Sequence, residues 1–176
     1  MMDGARECSI RRGPLVGVHT VEVRFIKDSE RPALLQMLTS SEDFPQNLLT
    51  FYRPGRSHYE ALGAWSAGEV LGVLTGSFDS NFFESGAFDS FDPPAAPHAF
   101  LDRVHVHESA RGVGVGRALV TAYAREAAER ACTFIGGQLD LSSDSSARRA
   151  FFEQLGFSIR DLDNFGATPA YVLSTS

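Results

Sequence analysis

The sequence predicts an α/β fold in a single domain, with a mixed central sheet of about six to seven strands flanked by about four helices. Three observations carry this. Short runs with alternating apolar residues are interleaved along the chain with segments of helical period. The 176 residues suit one domain and suffice to bury a core without covalent staples. The composition, 43 % hydrophobic and 22 % charged, is that of a folded globular chain.

Residues 1–19 show neither helical nor strand period and read as an N-terminal arm, which leaves 20–176 as the domain. From Thr20 the run VEVRFIK alternates as a strand does. Ser29 offers an N-cap and Pro32 an early helical position, with Leu34, Leu35 and Leu38 marking the buried side of a first helix. Ser40, Ser41, Glu42, Asp43 and Pro45 end it, and a short second helix runs through Leu48 and Leu49. His58–Trp65 and Val70–Ser77 read as strands joined by Ser66-Ala67-Gly68-Glu69, a hairpin signal.

The next segment, SFDSNFFESGAFDSFDPPAAPH, interleaves Phe78, Phe82, Phe83, Phe88 and Phe91 with Asp79, Glu84, Asp89 and Asp92. Prolines close it, so a long loop is expected. Ala99–His107 is a further strand. Residues 112–131 form the strongest helix, with Leu119, Val120, Tyr123, Ala124 and Ala127 on one face and Arg125, Glu126, Glu129 and Arg130 on the other. A strand over Phe134–Leu141 follows. Ser143–Ser146 then caps a helix through Phe151 and Phe152, stopped by Gly156. Strands around Phe157–Arg160 and Ala170–Leu173 complete the chain.

A formal net charge of −6 argues against non-specific nucleic-acid binding, which needs a basic face to displace counterions. Cys8 and Cys132 are too few for a disulfide framework or a zinc site and read as unpaired thiols. No stretch reaches the length of a membrane span, and the first twenty residues lack the apolar run of a signal peptide. A cytoplasmic location with no membrane partner is the expectation.

The stretch LDRVHVHESARGVGVGRALV carries the chemistry. A strand runs into a loop with three alternating glycines, where a helix starts. The first N–H groups of a helix have no internal partner, and the helix dipole adds positive charge there. Gly112, Gly114 and Gly116 lack Cβ atoms, so a bulky anion can approach the main chain. The combination suits a phosphate or pyrophosphate. The spacing fits neither a dinucleotide G-x-G-x-x-G nor a G-x-x-x-x-G-K-[ST] loop, since Arg117 or Leu119 falls where the third glycine would stand. A glycine-rich turn with no ligand is the competing reading.

Arg111-Gly112-Val113-Gly114-Val115-Gly116 resembles the [QR]-x-x-G-x-[GA] signature of the GNAT superfamily of N-acetyltransferases. Leu101, Val104 and Val106 match the family's strand leading into it, and ARRAFFEQLGF resembles its helix ending in "GF" at Gly156-Phe157. The resemblance spans nearly the whole chain except the arm and the phenylalanine-rich loop. It implies a GNAT fold whose sheet splays between the strands around residues 99–107 and 134–141. It further implies acetyl-CoA as cosubstrate, no metal, and a pyrophosphate held by Arg111, Gly112, Val113, Gly114, Val115, Gly116 and Arg117. The main chain of Val104 and Val106 would bind the pantetheine arm, and an N–H near Val106 would face the thioester carbonyl. Ser145 stands where many members carry a CoA-contacting asparagine.

Acyl transfer to an amine is helped by a proton acceptor, because an alkyl ammonium has a pKa of roughly 10.4. Asp102, nine residues before Arg111, occupies the place of a glutamate in polyamine acetyltransferases that the chain resembles. A strand carboxylate facing solvent or pairing with Arg103 is the structural alternative. His105 and His107 share a strand face; such a pair can bind metal, but no third ligand is evident, and His105 is a reserve base. Many members donate a proton to the leaving thiolate from a tyrosine four residues before the glycine of "GF". Phe152 stands there, a position left to cofactor binding, with Tyr123, Tyr59 or solvent as substitutes. A thiol pKa of roughly 8.5 lets the thiolate leave with modest help.

The implied activity is acetyl transfer to a primary amine of a small molecule or peptide in a ternary complex. A non-catalytic acyl-CoA-binding module of the same fold is the alternative. The acidic, aromatic segment 78–92 is read either as a cleft wall for a cationic amine or as a lid or homodimer contact.

Overall fold

The computed structural model describes residues 6–10, 19–54, 59–140, 145–160 and 164–167. They fall in two compact units, Met1–Thr75 with Arg103–Ala122 and Gly76–Asp102 with Tyr123–Ser176. Two long strands, β4 (Glu69–Ser80) and β5 (His98–Val106), contribute to both units.

In the first unit the strands run in the order β1-β2-β3-β4-β5. β1 (Arg6–Ile10) lies in the stretch where no strand period was expected; it pairs antiparallel with β2 (His19–Phe25), Arg6 opposite Val23 and Ile10 opposite His19. A five-residue edge strand held by main-chain bonds needs no strong side-chain alternation, which is why its sequence is silent. β2 pairs antiparallel with β3 (Glu60–Ser66), Glu22 opposite Trp65. Ala67 and Gly68 join β3 to β4 with φ of 49° and 83°, the double left-handed turn whose twist suits a two-residue hairpin.

α1 (Arg31–Ser40) carries Pro32 in its first turn, as expected, and buries Leu34, Met37 and Leu38. Ser29 is not its cap. It sits in a 3-10 turn, Asp28–Glu30, where the Glu30 carboxylate accepts the Lys27 N–H at 2.9 Å and an Arg24 N–H at 2.7 Å. Glu30 itself is the N-cap residue of α1, but its carboxylate is taken by these two donors and makes no cap hydrogen bond to the helix. The predicted short helix is a 3-10 helix over Gln46–Tyr52. Phe44, Tyr52, Trp65 and Val73 complete a core with the α1 leucines.

The long helix α3 begins at Val115, not residue 112, and ends at Glu129. Gly112 and Gly114 have φ of 73° and 92°, which a right-handed helix cannot include.

In the second unit the order is β4-β5-β6-β8-β7. β6 (Ile135–Gly137) is three residues long where eight were predicted, and it runs parallel to β5 with Ala99 opposite Ile135 and Leu101 opposite Gly137. β5 continues to Val106 past that pairing. The sheet therefore opens at this strand pair, as expected. β8 (Asn164–Ala167) pairs antiparallel with both β6 and β7 (Ser158–Arg160). The strand expected at Ala170–Leu173 lies outside the described residues. α4 (Ser146–Glu153) is followed by Gly156 at φ 88°, the predicted stop.

The phenylalanine-rich segment is not a plain loop. It contains a single helical turn, α2 (Phe82–Ser85), and a 3-10 turn, Asp89–Phe91. Phe82 and Phe88 are buried with Phe134 in a local core, and Phe91 and Phe100 pack against it. Their rings press on β6: a Cβ built on Gly136 would lie 2.7 Å from Phe88 and 2.9 Å from Phe82. His98, fully buried, accepts the Phe82 N–H on Nδ1 at 2.9 Å and donates from Nε2 to the Pro94 carbonyl at 2.6 Å. The segment's apolar side thus turns inward, while Asp79, Glu84, Asp89 and Asp92 face solvent beside one exposed ring, Phe83. Burial of each such phenylalanine contributes about 1.5–3 kcal/mol, which is why Phe82 and Phe88 serve the core rather than the surface.

Gly76 and Tyr123 fix the centre of this unit. Tyr123 is buried and its hydroxyl is directed at the carbonyls of Ser77 and Phe100, 2.8 Å from each. A Cβ on Gly76 would lie 2.5 Å from both that hydroxyl and the Phe100 carbonyl. Gly76→Ala is expected to lower unfolding free energy by about 1–3 kcal/mol, the usual penalty of overpacking, measured by urea titration. A loss below ~0.5 kcal/mol would mean that the strand relaxes around the methyl group.

Candidate functional site

Most of the residues singled out by the sequence, Val104 to Val106 and Arg111 to Arg117, lie in the first unit around and after the end of β5. His107 N–H bonds to the Leu71 carbonyl at 3.0 Å, toward β4. Strand alternation then directs the N–H groups of Val104 and Val106 to the opposite edge. That edge is the one the resemblance assigns to a ligand.

Beyond β5 a 3-10 turn, Glu108–Ala110, leads into the glycine loop. Ala118 N–H closes the first turn of α3 on the Gly114 carbonyl at 2.9 Å, so the N–H groups of Val115, Gly116 and Arg117 precede intrahelical pairing. Val115 is buried and anchors the helix start, whereas Gly112, Gly114 and Arg117 are exposed. A Cβ on Gly112 would meet nothing within 4 Å. The loop is thus open to solvent at Gly112 and Gly114 and leads into the unpaired N–H groups of a helix start, an arrangement that can hold a phosphate group.

Arg111 is differently employed. Its guanidinium bonds to Asp43 at 2.7 Å and to the Val106 carbonyl at 2.9 Å, with Glu108 at 3.5 Å. The Asp43 carboxylate raises its pKa, so it is a permanent cation already paired. It clamps the glycine loop to the segment after α1. Arg117 carries the exposed positive charge at the mouth of the loop.

Beside the loop stands a hydrogen-bonded chain. Ser41, 3 % exposed, lies with Oγ 2.8 Å from His105 Nε2 and donates to Glu108 Oε1 at 2.6 Å. The Ser41 hydroxyl, together with main-chain N–H groups, holds the Glu108 carboxyl well below the usual carboxylate range. His105 packs edge-on against Phe44, ring centroids 5.1 Å apart. Burial pushes its pKa below the ordinary histidine value; Asp43 and Glu108 oppose that shift and Arg111 and His107 add to it. His107 lies on the same face, its Nε2 3.5 Å from Glu108 Oε2. Among the described residues no group of three or more His, Cys, Asp or Glu side chains is placed to hold a metal.

The remaining predicted positions belong to the second unit. Asp102 is half-buried on β5. Ser145 precedes α4, and its side chain does not cap the helix. Phe152 is buried, its ring against Phe151 and Phe157 at centroid distances of 5.1 and 5.4 Å. Tyr123, a substitute acid by sequence, is committed to two carbonyls.

Sequence reasoning missed Ser41, Asp43 and Glu108. The first two read only as the end of a helix, and the Ser41–His105 pair spans 64 residues. No local pattern announces such a contact.

No curated protein sequence matches the chain. Among solved structures, a ribosomal-protein-alanine N-acetyltransferase from Brucella melitensis biovar Abortus 2308 is 19 % identical, with 76 % of this chain and 90 % of that one covered and a TM-score of 0.56. The PaiA N-acetyltransferase of Thermoplasma acidophilum, solved with coenzyme A, is 13 % identical over 83 % and 96 % of the two chains, with a TM-score of 0.60. The aminoglycoside N-acetyltransferase AAC(6')-Iy, also solved with CoA, is 18 % identical over 84 % and 93 %, with a TM-score of 0.62. At these identities the structures speak for the fold alone. The sequence profile of the acetyltransferase (GNAT) family, however, matches residues 25–157, from the end of β2 to the "GF" after α4, and the chain therefore belongs to the GNAT acetyltransferase family.

Proposed function

We propose that the protein is an N-acetyltransferase that moves an acetyl group from acetyl-CoA to a primary amine of a small molecule or peptide, by direct attack in a ternary complex. The observation that supports this most is the continuity of residues 104–117. One segment supplies an outward strand edge, an open glycine loop backed by a helix N-terminus, and a half-buried imidazole beside them.

Acetyl-CoA, when bound, supplies the acetyl group as a thioester whose carbonyl carbon takes the amine nitrogen and whose thiolate departs. The glycine loop, residues 111–117, holds the pyrophosphate by main-chain N–H groups, with Arg117 adding charge and Arg111 keeping the loop in place. Val104 and Val106 offer main-chain groups to the pantetheine arm, and Val106 N–H donates toward the thioester oxygen. His105 takes the amine proton. Its depressed pKa keeps the imidazole neutral at pH 7, and Nδ1 makes no hydrogen bond among the described residues. Asp102 is the second candidate for that proton. Ser145 and Phe152, both in the second unit, are carried over as cofactor-binding positions.

Calorimetry with acetyl-CoA, followed by a free-thiol release assay over polyamines, aminoglycosides and peptide N-termini, tests the reading. Micromolar binding and turnover of at least one amine are expected. Binding with no turnover of any amine would replace it by the acyl-CoA-binding module, and no binding at all would refute both.

A further inference from the structure

We propose that Ser41 and Glu108 are positioning residues, forming a relay that fixes the tautomer of His105 and stabilises its protonated form. This rests on the reading of His105 as the base. Glu108 Oε1, a carboxylate oxygen, accepts only, so the Ser41 proton lies on the 2.6 Å bond to it. Ser41 Oγ then has only lone pairs to offer His105 Nε2 at 2.8 Å. Nε2 therefore carries the proton, and the lone pair of the neutral ring sits on Nδ1. The Phe44 ring, edge-on to the imidazole, holds its plane.

The direction of the relay follows from the same atoms. When Nδ1 takes a proton, the positive ring is joined through Nε2–H and the Ser41 hydroxyl to the Glu108 carboxylate. No proton needs to leave Nε2. The hydroxyl, donated to Glu108 and 3 % exposed, is thereby unsuited to act as a nucleophile. The charged groups around the ring are Asp43 and Glu108, which favour the cation, and Arg111 and His107, which oppose it. Arg111, bonded to Asp43 at 2.7 Å and 3.5 Å from Glu108, draws both carboxylates to this side of the site. The arrangement differs from a Ser-His-Asp triad, where the carboxylate meets the imidazole and the serine attacks. Here the serine lies between the other two, and the imidazole's free nitrogen is the working end.

The test reads the ring directly. Long-range 1H–15N NMR of the uniformly labelled full chain, without ligand, is expected to show His105 as the single Nε2–H tautomer above its pKa. Ser41→Ala is expected to give a tautomer mixture. In both Ser41→Ala and Glu108→Gln the His105 titration midpoint is expected to move to lower pH, because the cation loses its relayed carboxylate. The acid limb of kcat/KM should move with it, and kcat/KM at pH 7 should fall by about tenfold, part of the roughly 10²–10⁴-fold a positioned base contributes. Glu108→Gln keeps the shape of a half-exposed side chain, so it carries the test if Ser41→Ala fails to fold. An Nδ1–H tautomer in the wild type, or a midpoint unmoved in Glu108→Gln, would overturn the relay. Loss of the relay signature leaves His105 free to be the base by another route. Full activity of a His105→Gln variant, with the NMR pattern of the wild type intact, would instead overturn the base and leave the relay a structural device.

Discussion

His105→Gln is expected to lower kcat/KM for an accepted amine by roughly 10²–10⁴-fold while leaving acetyl-CoA affinity within about threefold of the wild type. In the proposed reaction the imidazole accepts the proton and does not hold the cofactor, so its loss would appear as a loss in kcat. Glutamine retains a donor for Ser41 Oγ and much of the ring's volume against Phe44. The fold is therefore expected to survive, with a melting temperature within a few degrees of the wild type. Raising the pH should recover part of the rate in the variant, because a fraction of the amine then arrives deprotonated without help. In the wild type, kcat/KM should fall on acidification with a midpoint below the ordinary histidine value, since burial depresses this pKa. A rate unchanged in His105→Gln but lost in Asp102→Asn would transfer the role to Asp102. A rate unchanged in both would leave deprotonation to solvent.

The sequence was informative where chemistry is local. The glycine loop, the face shared by His105 and His107, the Ala67-Gly68 hairpin and the Gly156 stop each depend on a few neighbouring residues, and each is present. It was silent where chemistry is long-range. Ser41 looks like a helix terminus until the fold brings it between His105 and Glu108, 64 and 67 residues away along the chain. Arg111 shows the intermediate case: its place in the signature is plain, yet its guanidinium is spent on Asp43 and the Val106 carbonyl rather than left for a phosphate. The phenylalanine-rich segment misled because charge and aromatic content are counted without direction. Phe82 and Phe88 point inward and the carboxylates outward, so of the rings that composition offered for a cleft wall, a lid or a dimer contact, packing takes these two for the core and leaves Phe83 exposed. β6 was overestimated for a related reason. Leu139 is buried although it lies beyond the strand, so an apolar pattern continued past the main-chain pairing.

Gly114→Trp is expected to abolish acetyl-CoA binding, raising Kd by at least about 10³-fold in calorimetry. Two effects act together. Gly114 sits at φ 92°, a conformation that costs a side chain of L configuration on the order of 1–3 kcal/mol. Forcing that residue toward negative φ would also turn the carbonyl that closes the first bond of α3 with Ala118 N–H, and with it the N–H groups of the loop. The indole itself would occupy the space a pyrophosphate needs against the main chain. Global stability should change much less, because Gly114 is exposed and the core beneath the loop rests on Val115, Leu119 and Val120. Gly112→Ala separates the two effects. Its Cβ would meet open space, but its φ of 73° carries the same kind of strain, so binding should weaken by about tenfold without vanishing. If Gly114→Trp binds acetyl-CoA as tightly as the wild type, the pyrophosphate lies elsewhere and the loop is only a turn. If Gly112→Ala abolishes binding as completely as Gly114→Trp does, loop conformation rather than contact space governs affinity.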